Sequence, residues 1–380
     1  MIGLYIHIPF CASKCYYCDF NSYAGKGNLA TGFFEALARE AEHYLKRGAF
    51  DAGVKTIFFG GGTPSLYIKE IVSFLETYFP LFRVAPEAEI TLEANPGTIT
   101  REKFKQLKDS PINRLSFGFQ SFHPALLKKL GRTHSVEDSL QALYLAREEG
   151  FHNINCDLIF ATPGQSLEMW REDLERLIKL CPEHISTYNL TIEEGTKFWE
   201  WQRLGTFRMP DEDLQLAMYQ LSIELLTAAG YQHYEISNFA RPGFRSEHNQ
   251  IYWRNEEYLG LGPGAVSYLS GRRFSNVRPI GAYMKRLQNG SLPVEEEEKV
   301  SLPMQMAETL MMHLRLREGM PLEYFQSRFG VPVEAVYKLT LEKLSRLKLV
   351  EIAEGHLRLT REGLYLANEV FMEFLDQEVV

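Results

Sequence analysis

The stretch "YIHIPFCASKCYYCDF", residues 5–20, decides the fold. An alternating β-type run leads into Cys11, Cys15 and Cys18, spaced C-x3-C-x2-C, and then Asp19 and Phe20 stand where a fourth cysteine would be sought. A loop directly after a strand can fold three thiolates toward one region, and thiolates suit zinc or an iron-sulfur cluster. Two readings of the open place follow. In the first, His7 or Asp19 closes a structural zinc site, although such sites generally draw ligands from two loops and the chain holds no second C-x2-C. In the second, three cysteines hold a [4Fe-4S] cluster and leave one iron free for a non-protein ligand.

Outward from this stretch, short β-rich runs recur: "LYIHI" (4–8), "KTIFF" (55–59), "EITLE" (89–93), "RLSFGF" (114–119), "NINCDLIF" (153–160) and "HISTYNL" (184–190). Between them, "FFEALAREAEHYL", "SVEDSLQALYLAREEG" and "SLEMWREDLERLIKL" carry apolar residues at helical spacing. Six β-then-α units predict a parallel sheet with right-handed crossovers. Each run ends in a polar or glycine-rich group: the cysteines, "GGGTP" (60–64), Glu93, Gln120, Asp157 and Asn189. In parallel α/β folds the carboxyl ends of strands carry the site, so six such ends predict one shared cavity enclosed by a curved sheet.

Beyond about residue 195 the pattern changes. "DEDLQLAMYQLSIELLTAAG" reads as one helix with Asp211 as N-cap, "AVSYL-SG-RRFSN" reads as a hairpin, and the acidic "VEEEEKV" (294–300) reads as a linker. The expected units are 1–195, 196–293 and 300–380. The last has two helical stretches (321–329 and 333–347), a hairpin and a final helix, the order of a winged-helix unit. It carries 9 Lys and Arg against 12 Asp and Glu, so a DNA-reading role is disfavoured, and packing against the first unit is preferred.

Composition sets the frame: 380 residues, 45% hydrophobic and 13% aromatic, allow sizeable cores, and the formal charge of −8 disfavours nucleic acid and anionic membranes. No apolar run is long enough for a transmembrane helix. The N-terminus does not read as a signal peptide, and five cysteines do not read as a disulfide framework. The expected location is the cytoplasm.

The cysteine spacing, with aromatic Tyr17 before the last thiol, is similar to the signature of radical S-adenosylmethionine (SAM) proteins. That resemblance implies a partial (β/α)6 barrel in which SAM chelates the free iron. It also implies SAM contacts by Gly61, Gly62 and Thr63 of "GGGTPSL" and by Glu93 of "TLEANP". "YIHIPFC", "FGGGTPS", "LEANPG", "RLSFGFQSF", "LGRTHS" and "NCDLIFATPGQ" resemble blocks of the coproporphyrinogen-dehydrogenase-like branch, which adds Tyr5, Gln120, Arg132 and Asp157 to the implied SAM region.

Two features depart from the dehydrogenase itself. It has a further cysteine two positions after the third, where this chain has Phe20, and an N-terminal extension, whereas ten residues precede Cys11 here. "CDF" and "HNQIYW" (248–253) instead resemble the HemW haem-chaperone family, whose H-N-x-x-Y-W motif is matched by His248, Asn249, Tyr252 and Trp253. This resemblance implies haem as a ligand, acceptor proteins as partners, a reductant for the cluster, and no coproporphyrinogen dehydrogenase activity. A His is a common axial haem ligand, a Tyr a rarer one, and a Trp can stack on the macrocycle; His248 leads. The alternatives are the dehydrogenase or a related radical SAM methyltransferase, and a packing role for "HNQIYW". "CP" at Cys181-Pro182 is too short to carry a haem-binding reading.

Overall fold

A computed structural model describes residues 1–375, so the last five positions of the expected 300–380 unit lie outside the described residues. Strands β1 (Ile2–Ile8), β2 (Val54–Gly61), β3 (Val84–Ala94), β4 (Arg114–Gln120), β5 (Ile154–Phe160) and β6 (His184–Asn189) pair in chain order, all parallel. Helices cross between them, among them Ala30–Lys46, Ile68–Tyr78, Val136–Glu148 and Leu167–Leu180.

Residue alternation explains why the two faces differ. On β1, Ile2, Leu4, Ile6 and Ile8 are buried in the same core as Phe33, Leu37, Ala41 and Tyr44, which recur at helical spacing on Ala30–Lys46. The other face of the sheet is polar: Tyr5 and His7; Glu89, Thr91 and Glu93; Arg114 and Ser116; Asn155 and Asp157; His184 and Ser186. The register keeps these sets side by side, with Thr91 opposite Arg114, Ser116 opposite Asn155, and Asn155 opposite His184. Side chains from β1 to β6 face one cavity of about 790 Å³, which requires a curved sheet: an α/β partial (β/α)6 barrel.

The barrel stays open, and the sheet continues past both edges to twelve strands. Outside β6 lie β7 (Gln232–His233) and β8 (Asn238–Ala240), with β8 antiparallel to both β6 and β7. On the other side β9 (Tyr258–Leu261) runs parallel to β1. Then come β10 (Val266–Leu269) and β11 (Arg272–Asn276), which form the hairpin read from "AVSYL-SG-RRFSN", and β12 (Val294–Lys299). The last corrects one expectation: "VEEEEKV" is an edge strand rather than a linker. Two of its four glutamates pair across the ladder, Arg272 meeting Glu297 at 2.7 Å and Arg273 meeting Glu298 at 3.0 Å. The helix read from "DEDLQLAMYQLSIELLTAAG" is Glu212–Ala228, capped by Asp211 Oδ1 at 2.8 Å from the Leu214 N–H.

After β12 a second core gathers Met306, Leu310, Phe325, Tyr337, Leu341, Val350, Leu357 and Phe374. Helices Leu302–His313, Leu322–Phe329 and Lys338–Arg346, a hairpin of Val350–Ala353 and His356–Leu359, and helix Ala367–Leu375 form a smaller winged-helix-like domain. Among the described residues no helix is long and apolar enough to cross a membrane.

Candidate functional site

The cysteine loop is fixed from both sides before any ligand is considered. Phe10 and Cys11 pair with Tyr23 and Ala24, the Tyr16 N–H donates to Leu130 O at 3.1 Å, and Tyr16 O accepts from the Phe198 N–H at 3.0 Å. Tyr16 and Tyr17 pack onto Leu130, Ile159, Leu190 and Phe198. Thus the three thiols border a small cavity of about 140 Å³ that shares Tyr17, Cys18, Glu93, Gln120 and Asp157 with the larger one, and Tyr17, Gly61, Gly62, Thr63, Glu93, Gln120, Arg132 and Asp157 line the same small cavity. Every residue expected near SAM is there except Tyr5, which lines the larger space.

Local geometry explains each position. The Gly62 N–H donates to Ile8 O and the Thr63 N–H to Phe10 O, both at 2.8 Å. A Cβ on Gly62 would lie 2.6 Å from Phe10 O, and Gly61 has φ +108° with the His7 ring filling the space of a side chain, so only glycines permit this approach. Gln120 adopts φ +68°, a left-handed conformation, at a register slip between β4 and β5 that turns its side chain into the cavity. Thr63 Oγ1 lies 3.6 Å from Cys11 Sγ. Arg132 spans from Gly118 O at 2.8 Å to Cys15 Sγ at 3.5 Å.

The donor set fits the groups the sequence implies. Among the described residues no three His, Cys, Asp or Glu side chains converge enough to hold a single metal ion. Three thiols bordering a pocket suit a cubane better than a tetrahedral zinc. His7 is not a free fourth ligand: Nδ1 accepts from the Tyr5 hydroxyl at 3.0 Å while Nε2–H donates to Asn21 O at 2.9 Å. Opposite the thiols, burial and then the Asp157 charge push the Glu93 carboxyl up to about 7, and burial raises Asp157. Gln120 Oε1 is buried without a partner. Two carboxyls and an orphan acceptor call for a ligand rich in donors and positive charge, such as the ammonium and sulfonium of SAM.

The "HNQIYW" segment forms a helix, Glu247–Trp253, capped by Ser246. Its residues divide between three environments. Asn249 and Tyr252 line the large cavity. His248 lies behind them, 1% exposed, stacked on Phe58 at 5.1 Å, with Nδ1 2.7 Å from Thr56 Oγ1 and Nε2 2.9 Å from the Tyr252 hydroxyl. Burial, then the Arg114 charge, lowers its pKa to about 3, so it is neutral. Trp253 faces the C-terminal domain, with the Arg315 guanidinium 4.2 Å over its ring.

Two residues not singled out from sequence fix this helix. Glu89 Oε1 accepts from the His248 N–H at 3.0 Å, and Oε2 accepts from the Glu247 N–H at 3.1 Å; Arg114 Nε lies 3.6 Å from Oε2. Both are ionisable groups on the cavity face of β3 and β4, where period-two alternation could have marked them.

Comparison with known proteins decides the family. The radical SAM superfamily profile matches residues 5–177 and that of the HemN C-terminal domain matches 300–366. "Heme chaperone HemW" of Lactococcus lactis subsp. lactis is 38% identical over 99% of this chain and 97% of its own length. The chain belongs to the HemW family. HemW of Bacillus subtilis is 36% identical, covering 99% of this chain and all of the relative, and that of Escherichia coli 37%, covering 98% of each. The solved coproporphyrinogen III oxidase (HemN) of Escherichia coli superposes with a TM-score of 0.84 over 98% of this chain and 89% of that one, at 24% identity, a likeness of fold. Membership of the radical SAM superfamily implies SAM and a [4Fe-4S] cluster.

Proposed function

We propose that this HemW-family chain binds haem and transfers it to acceptor proteins in the cytoplasm, with Cys11, Cys15 and Cys18 holding a SAM-liganded [4Fe-4S] cluster that an external reductant serves. The observation that carries the reading is the adjacency of the two cavities: the one bordered by the cysteines shares the walls Tyr17, Cys18, Glu93, Gln120 and Asp157 with the one lined by Asn249 and Tyr252. When bound, the cluster supplies one iron open to SAM and a store for single electrons.

The chain's own residues do the rest. Glu93, Gln120 and Asp157 accept hydrogen bonds from a cationic ligand, Gly61, Gly62 and Thr63 let it approach the backbone, Tyr17 walls it, and Arg132 and Thr63 offer donors to thiolate sulfur. Tyr5 lines the larger cavity, its hydroxyl donating to His7 Nδ1 at 3.0 Å. Residues 1–195 then form the SAM and cluster unit, 196–293 extend the barrel and present the haem motif, and the domain that begins at 300 braces that motif through Thr309, Arg315 and Arg328.

Anaerobic reconstitution followed by haem titration tests the proposal. A saturable Soret shift at about one haem per chain is expected, without decarboxylation of coproporphyrinogen on the same preparation. Absence of the Soret shift overturns the reading, and protoporphyrinogen accumulating with 5′-deoxyadenosine replaces it with the dehydrogenase.

A further inference from the structure

The haem reading leaves open which side chain meets the iron, and the geometry points away from the residue that sequence favours. His248 is walled in: Phe58 stacks on its ring, and both nitrogens are already engaged, by Thr56 and by Tyr252. A ferric ion has no path to either nitrogen without unstacking the ring and breaking a buried hydrogen bond. Tyr252 lies one helical turn further along and lines the large cavity with Asn249, Tyr188 and Tyr258. It borders the open space, and its hydroxyl lies 2.9 Å from the imidazole Nε2.

We propose that Tyr252, as phenolate, is the axial ligand to a ferric porphyrin in this cavity, and that His248 is a positioning residue whose Nε2 holds the phenolate oxygen by a hydrogen bond. The inference rests on the haem-binding reading above. Tyrosinate is a known mode of haem ligation, as is imidazole, and anionic oxygen suits iron(III).

The proton inventory closes. Without ligand, burial, followed by Tyr258, Tyr5 and Glu93, raises the Tyr252 pKa, so it is a phenol. We assign the Nε2–H tautomer, in which the Thr56 hydroxyl donates to Nδ1 and Nε2–H donates to the Tyr252 oxygen. On coordination the O–Fe bond forms and the phenol O–H bond breaks, its proton leaving through the cavity that Tyr252 lines, while Nε2–H stays in place and donates to the phenolate. The imidazole stays neutral throughout, one proton is released per haem, and no electron changes hands.

Four full-length proteins decide it: wild type, Tyr252→Phe, Tyr252→His and His248→Gln, each loaded with ferric haem and read by absorption and resonance Raman spectroscopy. Wild type is expected to show an Fe–O(phenolate) vibration and its charge-transfer band. Tyr252→Phe is expected to lose both along with at least about tenfold in affinity, and Tyr252→His to exchange them for an imidazole-ligated spectrum. His248→Gln is expected to retain the phenolate band at a shifted energy, which a merely structural role for His248 would not produce. A wild-type spectrum of imidazole ligation that survives Tyr252→Phe overturns the inference while leaving haem binding intact. Failure of wild type to bind haem at all overturns the parent reading and this one with it.

Discussion

At the scale of single residues, Glu93 is where charge chemistry can be measured. Its carboxyl reaches about 7 because it is buried and because Asp157 is close. A group raised above its unfolded value holds its proton in the empty protein between roughly pH 4.5 and 7, so ionising it near neutrality costs folding free energy. A cationic ligand reverses this preference: SAM binds best to the carboxylate, lowers its pKa and displaces the proton. Affinity for SAM is therefore expected to weaken as pH falls from about 8 to about 6, and Glu93→Gln to bind weakly with a flat profile over that window. Equilibrium binding on the reconstituted protein reads this directly; an equal slope in the variant assigns the pH dependence elsewhere. The cysteines, the glycines and Glu93 were legible in sequence because a spacing or a strand end announces them. Glu89 carried only the weak signal of its alternation, since a lone acid inside a strand is ordinary until its neighbours across the ladder are known.

At the scale of elements, the seven-residue helix Glu247–Trp253 is too short to be stable by itself. Its first N–H groups are satisfied by Ser246 and by the Glu89 carboxylate, which arrives from a strand 158 residues earlier in the chain. Glu89→Ala is expected to destabilise by about 3 kcal/mol, because it strips these bonds and leaves the Arg114 charge buried. Ser246→Ala is expected to cost about 1 kcal/mol, the usual worth of a cap. Urea midpoints compare the two, and a Glu89 variant no worse than the Ser246 one would show the carboxylate to be incidental. The strand formed by "VEEEEKV" shows the same blindness to distance: four consecutive glutamates look like solvated chain, and only the arginines of β11 across the ladder make them a sheet edge.

At the scale of the whole molecule, the motif helix lies between two bodies, and both hold it. The barrel side supplies Glu89, Thr56 and Phe58. The C-terminal domain takes the other end, with Arg315 over Trp253, Thr309 Oγ1 accepting from Asn255 Nδ2 at 3.0 Å, and Arg328 donating to Asn255 O at 2.9 Å. Sequence reading carried the six strands, the hairpin and the winged-helix order, because each is a local pattern of alternation or helical period. It could not carry the way Trp253 turns from the cavity to the domain contact, which depends on residues about sixty positions further along.

The arrangement makes the C-terminal domain a brace for the haem motif, and Arg328→Ala isolates that brace without touching the cavity. Removing one hydrogen bond of this kind costs on the order of 1 kcal/mol. Amide exchange over residues 247–256 is therefore expected to accelerate about fivefold, with β1 to β6 unchanged and haem affinity falling by a similar factor as the helix must be ordered on binding. Exchange-detected mass spectrometry resolves the segment. Unaltered protection there, in a variant that still folds, would mean the barrel alone holds the motif and the second domain serves another purpose.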